Sequence, residues 1–497
     1  MFILTNFKKI AYLFVLIGLF SLSFLSSIDS RIKGALPEPV ELTLLPIAIA
    51  ITELQTDESG YAGYNHILDS LIQQEGFNDY VKSEKKSIPH DIDLKQGVLD
   101  AQDKNTISKF YLQREDIGIV DYYKLSFSLF GYSTDGLIYL YYSLLALSLG
   151  IYAARFLNNF DKLNYLIVFM ISHWVVVSVL PSIGNDLFTV YNRRSLPILS
   201  IIPAIYIVVS IFENRRLNAV GLIMLIIQAA ILIFVFHARS SVAYQFLFIY
   251  TAFFFVYFVR RKIKFNSCMF KKSAALSVIL VSVAILLLKG YMYIAKDPMY
   301  SNYTNGHLFW HPAYLGLSSH SESVNKYGIY LHDRVTGDLV KTRSKERFGT
   351  EDWQGLGGYH LFEDIVKEEY LSILKNDPIY VLENYAIKPY LFIKTFFNSH
   401  YWLNNIVLSA TSIIGTLIGG LLVSSIVLTT LVRMSLLLIG AFSFSLAPLM
   451  FLSPEIEAYI LEASILLLSL IYWFSSLFIA FFINTIKYMY TKETVKT

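Results

Sequence analysis

Long apolar runs recur along this 497-residue chain, near 10–28, 136–156, 163–183, 195–212, 218–236, 242–259, 273–294, 406–432, 434–452 and 459–485. Each comes close to the ~20 residues that an α-helix needs to cross the ~30 Å apolar core of a bilayer. Inside lipid the backbone must satisfy its own hydrogen bonds, so such runs fold as helices. The pattern predicts an all-α polytopic membrane protein with about ten transmembrane helices. Composition agrees: 55% of residues are hydrophobic and 16% are charged, against roughly 25% charged in soluble domains.

The basic residues give the expected orientation. Lys8-Lys9 precede the first run, and the alternate short connections carry Arg155 and Lys162, Arg215-Arg216, then Arg260-Arg261-Lys262-Lys264 with Lys271-Lys272. Arg433 and a tail with Lys487, Lys492 and Lys496 complete the set. Basic connections stay on the cytoplasmic side. Both termini are then cytoplasmic, and the two long polar stretches lie outside. The expected division is a first transmembrane helix (1–28), a first extracytoplasmic loop with interfacial helices (29–135), and helices two to seven (136–294). A second extracytoplasmic loop domain (295–405) and helices eight to ten with a cytoplasmic tail (406–497) follow. No Ala-x-Ala site follows the first run, which argues for a retained span over a cleaved signal peptide. Abundant Ile, Lys, Asn, Tyr and Phe suggest an AT-rich bacterial genome, and so an inner-membrane location. The single cysteine, Cys268, rules out an intrachain disulfide. Gly415 and Gly419 form a G-x-x-x-G pair suited to close helix packing. The net charge of +3 gives no footprint for nucleic acid. The chain has no phosphate-cradling G-x-x-x-x-G-K-[ST] and no G-x-G-x-x-G, so nothing supports ATP-driven or dinucleotide chemistry.

Three groups of residues break the pattern of a plain bundle. Arg193-Arg194 and the stretch "VFHARSS", with His237 and Arg239, fall in outer connections where arginine is disfavoured. A guanidinium offers rigid paired donors that match a phosphate, so these four form a candidate site for a lipid-linked phosphate. The bland alternative is a contact with ordinary phospholipid headgroups or with Asp186. Asp29, just beyond the first span, is a candidate general base that would deprotonate an acceptor hydroxyl as a lipid phosphate leaves. Its bland alternative is a helix cap. The apolar stretch after it, "VELTLLPIAIA", is too short to span and is expected along the interface. In the second loop, His307, His311, His320 and His332 accompany Trp310, Asp333 and Asp338. Aromatic and histidine side chains of this kind suit a sugar, so Trp310 and His311 are candidates for acceptor binding. Packed Trp and His-Pro turns are also ordinary structure. The histidine spacings match no compact zinc pattern. No metal ligand and no cofactor is assigned, and a divalent cation there stays an open alternative.

Three stretches together resemble the GT-C superfamily, the polytopic glycosyltransferases that use polyprenyl-phosphate sugars, in its bacterial mannosyltransferase and aminoarabinose-transferase branch. One is the single span followed by a large loop that opens on an acidic residue, Asp29. Another is "VDYYKLSFSLFGYSTDGLIYLYYSLLALS", in which Tyr122, Tyr123, Phe130, Gly131 and Ser133 are similar to the family's aromatic and glycine positions before span two. The last is "EEYLSILKNDPIYVLENYAIKPYLFI", similar to a surface helix–Pro–helix with Pro378 and Lys388 in the expected relation. Two positions depart from the family. The second carboxylate after span one is Ser30, and the His-Pro before the tyrosine pair is Val120-Asp121. These departures bring in Asp116 and Asp121 as alternative catalytic acids. The resemblance implies an inverting sugar transfer from a lipid phosphate to a glycan or lipid acceptor at the outer face. Three other readings stay open: an O-antigen polymerase or ligase, a transporter or flippase of an envelope component, and a non-catalytic assembly protein.

Overall fold

The computed structural model describes residues 2–32, 40–56, 60–73, 109–111, 116–179, 195–258, 272–295, 309–319, 326–330, 333–356, 358–398, 428–446 and 463–475, with 477–478, 481–482 and 485. The described residues are all-α apart from one small ribbon. Helices α1 (Phe2–Ile32) and α2 (Val40–Gln55) lead into strand β1 (Ala62–Tyr64) and helix α3 (Asn65–Gln73). Strand β2 (Lys109–Tyr111) pairs antiparallel with β1, Ala62 opposite Tyr111 and Tyr64 opposite Lys109. Then come α4 (Gly118–Phe130), α5 (Thr134–Phe156), α6 (Phe160–Val179), α7 (Ile198–Glu213), α8 (Ala219–Ala238), α9 (Ala243–Phe258) and α10 (Ser273–Ala295).

Among the described residues, five helical stretches are long and apolar enough to cross a membrane: Lys9–Ile28, Asp135–Phe156, Ala219–Ala238, Ser240–Phe258 and Ser273–Ala295. Each falls on an apolar run of the sequence. α6 and α7 occupy two more runs but have shorter apolar stretches, Lys162–Ser178 and Ile198–Glu213. Many large side chains point away from the bundle, among them Phe14, Ile17, Leu286, Leu287 and Phe254. Water would penalise such a surface, whereas lipid does not.

α1 runs parallel to α6 and antiparallel to α5. Tyr12 hydrogen-bonds Asn164 at one level, and Ser23 Oγ meets His173 Nδ1 at 2.7 Å higher up. Tyr141 closes the other side of that imidazole, its hydroxyl 3.0 Å from Nε2. Polar pairs of this kind hold helices together where lipid supplies no hydrophobic drive between them.

The basic connections among the described residues meet at one end of the bundle. Lys9 bonds Asn158, Glu213 accepts from both Arg155 and Lys162, and Arg216 bridges to Lys272 beside the Arg215–Ser273 backbone contact. Arg433 differs from expectation. It lies inside a continuous helix, α16 (Leu428–Ser445), and not in a connection between two spans. No Gly or Pro interrupts 421–439, and Pro448 stands just beyond the helix end, where an X-Pro step disfavours continuation. A last helix, Ala463–Ser475, lies antiparallel to α6: Trp473 stacks on Tyr165 at 5.8 Å, and Ser469 bonds Ser172.

The run expected along the interface forms α2 and is covered on all sides. Ile47, Ala48, Ile49, Ala50 and Ile51 are consecutive and each at most 2% exposed, which is more than a full turn without a free face.

A second, smaller core gathers the helices α11 (Trp310–Leu315), α12 (Asp333–Phe348), α13 (Trp353–Leu356), α14 (Gly358–Asn376) and α15 (Pro378–Asn398) around Tyr314, Leu317, Trp353, Phe362, Val366 and Val381. Asp377-Pro378 breaks α14 from α15, as the helix–Pro–helix pattern predicts. The far end of α15 packs Phe392 against Phe442 of α16.

Candidate functional site

The end of the bundle opposite the basic connections holds a buried cluster of ionisable groups. It is built on the last turn of α8, which ends at Ala238, on the first turns of α4, and on the turn before β1. α4 is fixed from both ends. Its C-terminal Gly131 takes φ +81°, a conformation that glycine adopts without strain. Ser133 then caps α5, accepting from the Asp135 amide at 3.1 Å. Tyr122 reaches across to the Leu137 carbonyl and stacks on Phe234 of α8. The residues Tyr122, Gly131 and Ser133 thus set the angle at which α4 meets α8.

At that junction His237 Nε2 lies 2.7 Å from Asp121 Oδ2. Tyr61 donates its hydroxyl to the same oxygen at 3.0 Å, and Lys124 stands 3.9 Å from Oδ1. Lys124 also bonds Glu53 at 2.6 Å, and the Tyr61 amide donates to the other oxygen of that carboxylate. Burial alone lowers the Lys124 pKa, but the Glu53 bond and the nearby carboxylates outweigh it and hold the ammonium above its ordinary value. Burial, with Asp121 and Tyr291 beside it, pushes the Tyr61 phenol far up, so it remains a donor at any physiological pH. Tyr61 adopts φ +68° after Gly60 at +82°. A bulky residue in that region costs on the order of 1–2 kcal/mol, and the bonds from its amide and hydroxyl hold it there.

Arg239 follows two residues after His237. Its Nη1 is 3.5 Å from Asp116 Oδ2, the long limit of a hydrogen bond, with both side chains about nine-tenths buried. Arg239 Nε and His237 Nδ1 are buried and have no hydrogen-bond partner among the described residues. Buried polar atoms are nearly always satisfied, and an orphan calls for a water or ligand. The cluster therefore offers an unpartnered guanidinium donor and an unpartnered imidazole nitrogen on one short segment.

Of the residues singled out in the sequence, the structure brings Asp116, Asp121, His237 and Arg239 together. Arg193, Arg194, His307, His320 and His332 lie outside the described residues, as do Gly415 and Gly419 and the side chain of Asp29. Trp310 and His311 sit in the second core. Glu363 accepts the backbone amides of Phe309, Trp310 and His311 at 2.8–2.9 Å. The Trp310 ring leans on Tyr370, and His311 Nδ1 meets Thr336 at 2.8 Å. Among the described residues no group of three His, Cys, Asp or Glu is placed to hold a metal ion. Tyr61, Glu53, Lys124 and Tyr291 complete the cluster and carry no sequence signal beyond the Gly60-Tyr61 turn. Comparison with protein-family models, with curated proteins and with solved structures finds no match.

Proposed function

We propose that this chain is a membrane glycosyltransferase that moves a sugar from a polyprenyl-phosphate donor to a glycan or lipid acceptor. The observation that carries this reading is the joining of two pairs, Asp121 with His237 and Asp116 with Arg239, in one buried cluster at the end of the bundle away from the basic connections. Basic connections favour the cytoplasm, so on the reading of about ten spans the cluster faces outward, at the depth of a lipid phosphate.

Each part has a task. Arg239 receives the donor phosphate, which replaces the long contact to Asp116 and uses the open Nε. A guanidinium kept from water stabilises the growing charge on the leaving phosphate far more than an exposed one would. The Asp121–His237 pair takes the proton from the acceptor hydroxyl. A transporter of similar size would place ionisable groups near the middle of the bilayer, whereas this cluster lies at a bundle end.

Purified protein in liposomes, given a radiolabelled polyprenyl-phosphate sugar and envelope lipids, is expected to label an acceptor, and Arg239→Gln and Asp121→Asn to abolish labelling. Counterflow of the lipid-linked sugar without transfer would sink the proposal in favour of a transporter.

A further inference from the structure

The Asp121–His237 contact fixes which atom of the site can accept a proton. A carboxylate only accepts hydrogen bonds. Asp121 Oδ2 already takes the Tyr61 hydroxyl, and it faces His237 Nε2 at 2.7 Å. Nε2 must then carry the hydrogen, which leaves the lone pair of the neutral ring on Nδ1. Nδ1 is the ring atom that is buried and has no partner among the described residues. The carboxylate is occupied on three sides, by Tyr61, His237 and Lys124. Its placement suits a group that orients the ring and balances its charge, and the open lone pair belongs to the imidazole.

We infer that His237 is the proton acceptor of the site, acting through Nδ1, with Asp121 and Tyr61 as positioning residues. This rests on the glycosyl-transfer reading above for its substrate. In the step, the acceptor oxygen forms a bond to the anomeric carbon of the donor. The bond from that carbon to the phosphate oxygen breaks, and its electron pair leaves on the phosphate held by Arg239. The acceptor hydroxyl proton moves to His237 Nδ1, and the imidazolium so formed is neutralised by Asp121. The logic is that of the His–Asp half of a serine hydrolase triad, with the two ring nitrogens exchanged. Tyr61 adds geometry: its left-handed backbone and the Glu53 bond to its amide aim the phenol at the same carboxylate oxygen that faces the ring.

The tautomer can be read without any substrate. Full-length protein carrying 13C,15N-histidine is reconstituted in bilayers, and the His237 signals are isolated by subtracting the spectrum of His237→Gln, with His237→Asn as a second reference if the first fails to fold. At pH 7.5 the expected pattern is a protonated Nε2 and an unprotonated Nδ1, with Asp121→Asn and Tyr61→Phe each shifting population toward the Nδ1–H form. A doubly protonated ring, which would make His237 a fixed cation for phosphate, or a dominant Nδ1–H form overturns the inference. In the liposome assay His237→Gln should lose transfer at least 100-fold while binding polyprenyl phosphate within about threefold of the parent. Loss of that binding would also overturn it. If the parent protein transfers no sugar at all, the functional proposal fails, and the spectra still decide the tautomer on their own.

Discussion

A methyl group on Gly118 would fall 2.2 Å from the carbonyl oxygen of His237 and 2.5 Å from its ring Cγ. The first residue of α4 thus rests directly on the last turn of α8, closer than any side chain allows. Residues three apart share a helix face. Pressing Gly118 onto the His237 backbone therefore presents Asp121 to the His237 ring, and one close approach sets the geometry of the pair.

Gly118→Ala is expected to separate the two helices. Overpacking of this kind costs about 1–3 kcal/mol, and here the obstruction is backbone, which cannot swing aside. Thermal unfolding in detergent should show a lower Tm, and sugar transfer should fall with it. Gly290→Ala in α10 is the control, since nothing lies within 4 Å of its added Cβ. That variant should match the parent. Equal behaviour of the two variants would show that the approach of Gly118 to His237 is not needed.

Arg239 and Asp116 make opposite predictions for phosphate binding. If the donor phosphate displaces Asp116, removing the guanidinium loses a charge-assisted bond of about 1.5–3 kcal/mol, so Arg239→Gln should weaken polyprenyl-phosphate binding by tenfold or more. Asp116→Asn removes the competing charge and should tighten binding. Native mass spectrometry with polyprenyl phosphate measures both. Weaker binding in both variants would mean that Asp116 holds Arg239 in place and does not compete with the ligand.

Much of the architecture was legible because each rule behind it is local. The apolar run at 218–236 needs only its own length to predict α8, whereas "FGYS", singled out only through the resemblance, marks the break between α4 and α5 by glycine's freedom and a serine cap. Arg239 and His237 stood out because an outer arginine is costly. Their pairing with Asp116 and Asp121, over 116 to 123 residues of sequence, could not be read from spacing, since helix packing alone decides which carboxylate meets which cation. Tyr61 and Glu53 were invisible for the same reason. Arg433 misled because one charge in an apolar run resembles a connection, yet a continuous helix, with no Gly or Pro within several residues of that charge, passes through it.

Glu363 ties three backbone amides at the start of α11, the donors that a helix leaves unpaired at its N-terminus. Glu363→Ala should destabilise the second core by about 1–2 kcal/mol, seen as faster amide exchange across 309–319 with 219–238 unchanged. The same experiment addresses Trp310 and His311. If they serve mainly to pack the second core, Trp310→Ala speeds exchange in α14 and leaves the acceptor KM alone. A raised KM with unchanged exchange would instead restore them to the acceptor surface.

Lys388 makes the stability of the second core depend on pH in an unusual direction. Its side chain is 2% exposed beside the Tyr385 ring, and burial pushes its pKa down from 10.5 to about 7. Between those values the unfolded chain holds a proton that the folded chain does not. Stability rises with pH wherever the unfolded state binds more protons, so this group makes the fold firmer as pH climbs from about 7 toward 10.5. Below about 7 both states are protonated, and its contribution no longer changes. Denaturant unfolding followed by tryptophan fluorescence, with Trp310 and Trp353 in this core, should show the midpoint increasing from pH 7 to pH 10 in the parent. Lys388→Met should flatten that rise and raise the midpoint at pH 7. A variant that keeps the parent's slope would assign the pH dependence to other groups and leave Lys388 charged in the folded state.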